Sequence, residues 1–297
     1  MKIGVVCPVI NNWSKYTKPM LDSVKSGHQL YFVIVDNMSN DETFTEATKL
    51  ITQDFHYKRN PDNWGCSRSW NYGLQDCFIN HGCDYVLVTN NDVLFHPKAI
   101  DRLVERFEEE TVISTGFSDD ERMNVYGKDD DLVMVTCMNV KGDCQNIPDN
   151  IFKLDAKGWA TTEESEHPDF SGFMVNRDFI ERVGYFDEAY SDIGGAYFED
   201  NDQHRRIKLA KAKAINCPQA LFYHHGSGSR REGKITLPMN YRFESNRDYF
   251  VAKWGGMPDS PGLWDNPFND PKKDWKWTLQ SEPKDVQSET VSRYKKV

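Results

Sequence analysis

Apolar, β-branched runs recur along the first third of the chain with helix-like stretches between them. KIGVVCPV (2–9) and LYFVIVDN (30–37) read as buried strands, and residues 17–27 between them suit a helix. Tyr72 to Asn80 also reads as helical, and DYVLVTNND (84–92) as a third buried strand. Pro97 then opens a helix to Glu110, with Ile100, Leu103, Val104 and Phe107 at helical spacing. Strands alternating with helices predict an α/β fold around a doubly wound, parallel sheet. Further along, FSGFMVN (170–176) restores order, a helix is expected from Asn201 to Ala212, and the apolar run AINCPQALF follows.

Between these regions, residues 118–168 break short apolar runs with DDERM, GKDDD and TTEESEHPD. Their acidic stretches read as solvated faces of a partly looped region over a cleft. After Gly233 the chain turns aromatic and proline-rich, with Trp254, Trp264, Trp275 and Trp277. The expected division is a main domain over 1–233 and an extension over 234–297 that packs on it and ends in a polar tail.

The segment VLVTNNDVLF (86–95) drives an apolar run into Asn90-Asn91-Asp92 and out again. A carboxylate in such a run is either part of an Asx turn between two short strands or sits at a strand end facing a cleft, where a divalent cation offsets its charge. Ligands of doubly wound sheets bind beyond the carboxyl ends of the strands, where Asp36 and Asp92 both fall.

With 38% apolar and 28% charged residues among 297, the composition is that of a soluble globular chain, and no stretch approaches a membrane span. The amino terminus lacks the apolar core and cleavage site of a signal peptide, and seven cysteines show no paired metal spacing. A reducing, cytoplasmic setting is expected, soluble or peripheral at a membrane. A net charge of −10 and pI near 5.3 argue against a nucleic-acid footprint, but they leave room for a phosphate-bearing ligand held through a metal.

Four clusters carry candidate chemistry. Asp36 and Asn37 end a strand and lead to Ser39, Asp41 and Thr43, where carboxylates can accept hydrogen bonds from a base or ribose. Asn63-Trp64-Gly65 precedes Arg68 and Asn71; the glycine permits close backbone approach and Arg68 could face a phosphate, although a helix cap with a surface arginine reads equally well. Glu199, Asp200 and Asp202 stand before His204-Arg205-Arg206, where acids suit a helix start and one could act as a general base. His224-His225 follow an apolar run, and one of them with Asp92 would make a mixed site for Mn²⁺ or Mg²⁺.

In this order the segments resemble the family 2 glycosyltransferases of the GT-A fold, particularly the rhamnosyltransferase-like branch. The resemblance spans residues 2–230: the first strand with Pro8, VDNMSNDET (35–43), NWGCSRSWNYGL (63–74), DYVLVTNNDVLFHPKAIDRL (84–103), FSGFMVNRDFIERVGYFDEAY (170–190), FEDND (198–202) and YHHGSGS (223–229). It implies a Rossmann-like, mostly parallel sheet flanked by helices, and an inverting, metal-dependent transfer from a UDP-, dTDP- or GDP-linked sugar to a hydroxyl of a glycan or glycoconjugate. Asp36 would contact the base, and Asp41 would lie in the same loop. Asn90-Asn91-Asp92 matches the D-x-D position, so Asp92 would hold the metal with His224. Asp200 matches the base that deprotonates the acceptor, and Pro8, Asn37, Arg68, Asn71, Asn90, Asn91 and Glu199 fall among the nucleotide-sugar contacts. Two other readings use the same residues: a nucleotidyltransferase, against which stands Val9-Ile10-Asn11-Asn12 in place of a glycine- and arginine-rich loop, and a non-catalytic carbohydrate-binding protein with exposed tryptophans after residue 250.

Overall fold

The computed structural model describes residues 1–109, 131–140, 151, 168–193, 196–226 and 239–258. Eight strands form one sheet: β1 (Lys2–Val9), β2 (Gln29–Asp36), β3 (Phe55–Arg59), β4 (Tyr85–Thr89), β5 (Val93–Phe95), β6 (Asp131–Asn139), β7 (Gly172–Val175) and β8 (Ala212–His224). Their spatial order is β3-β2-β1-β4-β7-β6-β8-β5. The pairings among β3, β2, β1 and β4 are parallel, as the alternating pattern requires. Beyond β4 the sheet is mixed, because β7 runs antiparallel to both β4 and β6, and β5 antiparallel to β8, while β6 and β8 are parallel.

The helices are α1 (Lys18–Ser23), α2 (Thr43–Thr48), α3 (Gly65–Gln75), α4 (Ala99–Glu108), α5 (Ala189–Ile193), α6 (Glu199–Leu209) and α7 (Met239–Trp254). A wider π-helical turn over Trp13–Thr17 precedes α1 and another over Asp76–Asn80 extends α3, giving helical segments over 13–23 and 65–80 that both begin earlier than their apolar spacing alone indicates.

Both faces of the sheet are covered. Val6, Val86 and Val88 join one core cluster with Trp70 and Leu74 of α3, whereas Val5, Cys7 and Leu87 join another with Ile100, Leu103 and Val104 of α4. This alternation is the period of two expected for strands buried on both sides. The α3 contact needs a glycine: a Cβ at Gly73 would lie 2.2 Å from Cγ1 of Val6.

Three expectations change. Residues 131–139 are an interior strand, β6, with Val133, Met134, Val135 and Cys137 buried. The dense acids of GKDDD before this run concealed it, and Asp131 itself pairs with Arg182 at 2.6 Å. The rest of the acidic region, 118–130 and most of 141–167, lies outside the described residues. Second, Trp254 is fully buried rather than exposed, since its indole N–H donates to Asp202 at 2.8 Å; Trp264, Trp275 and Trp277 lie outside the described residues. Third, the helix expected from Asn201 to Ala212 runs over Glu199–Leu209, with His204, Arg205 and Arg206 buried inside it and not at its start. Arg206 donates to the backbone oxygens of Val183 and Tyr185, so its charge braces a neighbouring turn. The proposed boundary at 233/234 falls outside the described residues, and α7 beyond it packs on α5.

Candidate active site

The loops after β1 and β2 are joined to each other. Asn11, Asn12 and Met38 adopt left-handed backbone (φ 55°, 60° and 64°), a conformation that asparagine tolerates better than most residues. The Asn11 amide donates to Ser39 Oγ at 2.7 Å, Asn40 donates to Asn11 Oδ1 at 2.8 Å, and Asp41 accepts from the amides of Asn12 and Thr43. Pro8 fits β1 because the β4 ladder ends at Val6–Val88, beyond which an amide is not needed on that side.

Asp36 is fully buried and accepts from the Ser39 amide at 2.8 Å and from the Tyr57 hydroxyl, with Arg59 Nε at 3.9 Å. Burial first, then the hydrogen bond to Asp36, push the Tyr57 phenol far above its ordinary range, so it remains a neutral donor. Asn37 Oδ1 accepts from Asn60 Nδ2, the Trp64 amide and Ser69 Oγ at 3.0–3.3 Å, which ties the front of α3 to the end of β2.

The turn after β4 is the second part of the site. The Asn90 amide donates to the Ser171 carbonyl at 3.0 Å, and Asn91 Nδ2 donates to Thr17 Oγ1 at 3.1 Å. Strand β5 then pairs with β8 with Val93 opposite His224, and the His225 amide donates to the Asp92 carbonyl at 2.9 Å. This ladder sets Asp92 Oδ1 3.2 Å from His224 Nε2, with Asp92 only 5% exposed. The His225 ring instead meets Tyr16 and Tyr223 edge-on at 5.4 and 4.8 Å. Among the described residues no three acidic, histidine or cysteine side chains form a closed metal cage. A carboxylate oxygen and an imidazole nitrogen fit Mn²⁺ or Mg²⁺ with its remaining positions open to water or a ligand's oxygens, Mn²⁺ better because it tolerates imidazole.

The third part is the front of α6. Tyr197 and Phe198 have φ of 87° and 66°, unusual for aromatic residues, and they turn the chain into Glu199 and Asp200. Burial, reinforced by Asp200, pushes the Glu199 carboxyl up to about 8. Asp200 is raised as well, chiefly by burial and further by Asp169, against the stabilising bond from the Asn201 amide. The two acids therefore carry less than two charges near neutral pH, and each ionised form is unusually basic for a carboxylate. Asp202 has a different role: it is fully buried and bonded to Tyr190, Lys253 and Trp254, so it belongs to the core and not to a proton-transfer site.

Arg68 and Asn71 lie on α3 with partners in residues 186–192. Arg68 pairs with Glu188 at 3.1 Å and with Asp192, and Asn71 both donates to and accepts from the backbone of Phe186. The charge of Arg68 is matched here by two carboxylates. Tyr57, Arg59, Asp169 and Lys253 were missed in the sequence. For Tyr57 and Arg59 the available signal was the alternation of FHYKR beside a buried strand, and for Lys253 it was its helical spacing from Asn246 and Phe250.

Among solved structures, a mannosyltransferase from Pyrobaculum calidifontis in complex with GDP-Man and Mn²⁺ superposes with a TM-score of 0.53 at 15% identity, over 99% of this chain and 75% of that one. GalNAc-T7 with UDP, GalNAc and Mn²⁺ gives a TM-score of 0.58 at 13% identity, over 97% of this chain and 57% of that one. Both likenesses are of fold, and the fold is GT-A. No individual curated protein matches the sequence. The model of glycosyl transferase family 2 matches residues 4–184, which include Asp36, the zipped loops and the Asn90–Asp92 turn. The chain belongs to glycosyl transferase family 2.

Proposed function

We propose that the protein is an inverting, metal-dependent glycosyltransferase that moves a hexosyl or deoxyhexosyl group from a UDP-, dTDP- or GDP-linked sugar to a hydroxyl of a glycan or glycoconjugate. The observation that carries this reading is the β5–β8 pairing, which brings Asp92 and His224 within 3.2 Å of each other in a family 2 chain. The loop of Asp36, Asn37 and Asp41 would receive the nucleoside, with Pro8, Asn90, Asn91 and Glu199 lining the donor site and Arg68 and Asn71 bracing it. Asp92 and His224 would hold Mn²⁺ or Mg²⁺, which when bound neutralises the departing diphosphate.

Asp200 takes the proton of the acceptor hydroxyl as that oxygen bonds to the anomeric carbon from the face opposite the diphosphate. The bond from that carbon to the diphosphate oxygen breaks in the same displacement, inverting the centre and releasing a nucleoside diphosphate. Burial suits Asp200 to this role by raising its proton affinity above that of an ordinary aspartate. The enzyme is read as cytoplasmic; among the described residues no helix is long and apolar enough to cross a membrane, and six cysteines are free thiols.

The test is a panel of UDP-, dTDP- and GDP-sugars with and without Mn²⁺. Thermal stabilisation and release of nucleoside diphosphate should both require the metal, because a ligand that binds only the folded state raises its melting temperature. Equal stabilisation and turnover in the presence of a chelator would overturn the metal assignment.

A further inference from the structure

We infer that α7, lying beyond the part of the chain matched by the family model, acts as a clamp on the acid-bearing front of α6, with Asn246 as the positioning residue. This rests on the assignment of Asp200 as the base. Asn246 Nδ2 lies 3.1, 2.9 and 3.0 Å from the backbone oxygens of Tyr190, Ala196 and Tyr197. Its two hydrogens are thus shared among one carbonyl of α5 and two at the left-handed turn at Tyr197 and Phe198. That turn fixes the direction in which Glu199 and Asp200 leave the backbone. A strained conformation persists only where its surroundings hold it, and the buried amide of Asn246 is one polar group that does so here.

The rest of the same helix face fixes where the clamp sits. Asn246, Phe250, Lys253 and Trp254 follow helical spacing, and all are buried. Lys253 Nζ bridges Asp187 at 2.8 Å and Asp202 at 2.6 Å, and Trp254 donates to the same Asp202 oxygen. Asp202 lies on α6 close behind Asp200, so α7 grips the acid pair from both sides: Asn246 before it and Lys253 with Trp254 after it. None of these α7 groups reaches the Asp36 loop or the Asp92–His224 pair through the bonds given above. The clamp should therefore act chiefly on the chemical step, with donor affinity changed only as far as Glu199 shifts.

The experiment is a double-mutant cycle on the donor sugar that the wild-type enzyme hydrolyses fastest, with water as acceptor and nucleoside-diphosphate release as the signal. Asn246→Ala should lower kcat about tenfold to a hundredfold, with donor affinity by calorimetry changed by far less, the scale expected when a reacting group is misplaced by about 1 Å. In an Asp200→Asn background the same change should cost less than about twofold, because the residue it positions is already disabled. Additive losses, or a weakened donor affinity alone, would overturn the clamp while leaving Asp200 as the base. Full turnover by Asp200→Asn would instead overturn the assignment of the base.

Hydrogen exchange supplies a measurement independent of turnover. Amides of residues 196–200 should exchange faster in Asn246→Ala while β1 and β4 keep their protection, and unchanged exchange at 196–200 would also sink the clamp. If Asn246→Ala does not fold, the isosteric Asn246→Asp, which lacks the donors when ionised, replaces it in both experiments.

Discussion

The Asp36–Asp41 loop and the Glu199–Asp200 helix front both carry acids, and the fold treats them in opposite ways. In the first, every carboxylate described is met by donors: Asp36 by Ser39 and Tyr57, and Asp41 by the amides of Asn12 and Thr43. In the second, a buried acid, Glu199, and a half-buried one, Asp200, have few donors, and desolvation raises both. Acids saturated with donors fix the shape of a loop, whereas poorly solvated acids retain a high affinity for protons. The first arrangement suits binding and the second suits proton transfer.

The sharpest test of this division between binding and proton transfer is a pair of substitutions, one at the helix front and one at the Asp92 turn. Asp200→Asn should lower sugar transfer by about two to four orders of magnitude while calorimetry shows donor and metal binding intact. Asp92→Ala should do the converse, removing the metal-dependent part of nucleoside-diphosphate affinity from a chain whose circular dichroism is unchanged. If both variants lose donor binding, the division of labour fails.

Next in size is Lys253→Met, which leaves the buried carboxylates of Asp187 and Asp202 without their shared cation. A loss of about 3–5 kcal/mol is expected in urea denaturation, because breaking a buried ion pair strands the remaining charge. A cost below about 1 kcal/mol would show that Tyr190, Tyr249 and Trp254 hold these acids adequately alone.

A smaller effect follows from the proton held by Glu199. Its folded value of about 8 lies above the ordinary 4.5, so between these the folded chain retains a proton that the unfolded chain has released. That contribution is complete below about pH 4.5 and is lost as pH rises through 8, with a slope of at most about 1.4 kcal/mol per pH unit. Denaturation midpoints between about pH 5 and 8 should show the slope in the wild type, and Glu199→Gln should flatten it. The smallest contrast is between the histidines: His224→Ala should weaken the Mn²⁺ requirement more than His225→Ala, since only His224 is placed against Asp92. The reverse order would shift the ligand by one residue.

The regions also differed in how legible they were. The parallel half of the sheet could be read from β1, β2 and β4 because strands buried on both faces become continuous apolar runs. Asp36 and Asp92 stood out because acids interrupt such runs. The strand β6 was hidden by its acidic flank, and β3 was missed because an edge strand with one exposed side reads as polar. The grip of α7 was out of reach for another reason: hydrogen bonds from Asn246 to backbone carbonyls depend on where the helix docks, and no spacing along the chain encodes that. The partners of Arg68 were equally invisible, because Glu188 and Asp192 are near it only after α3 meets α5.

The pairing of β5 with β8 has a consequence for how the protein comes into being. Asp92 emerges with the first half of the chain and His224 only near the end of the sheet, yet a three-residue ladder is what sets them side by side. Such a contact has a long loop to close, and contacts of that kind form late in folding. The amino-terminal strands can pair locally as they are synthesised, but the Asp92–His224 pair has no geometry until β8 has threaded between β6 and β5. Competence to bind the metal would then be a marker of completed folding, absent from every partly folded form that still lacks its last strand.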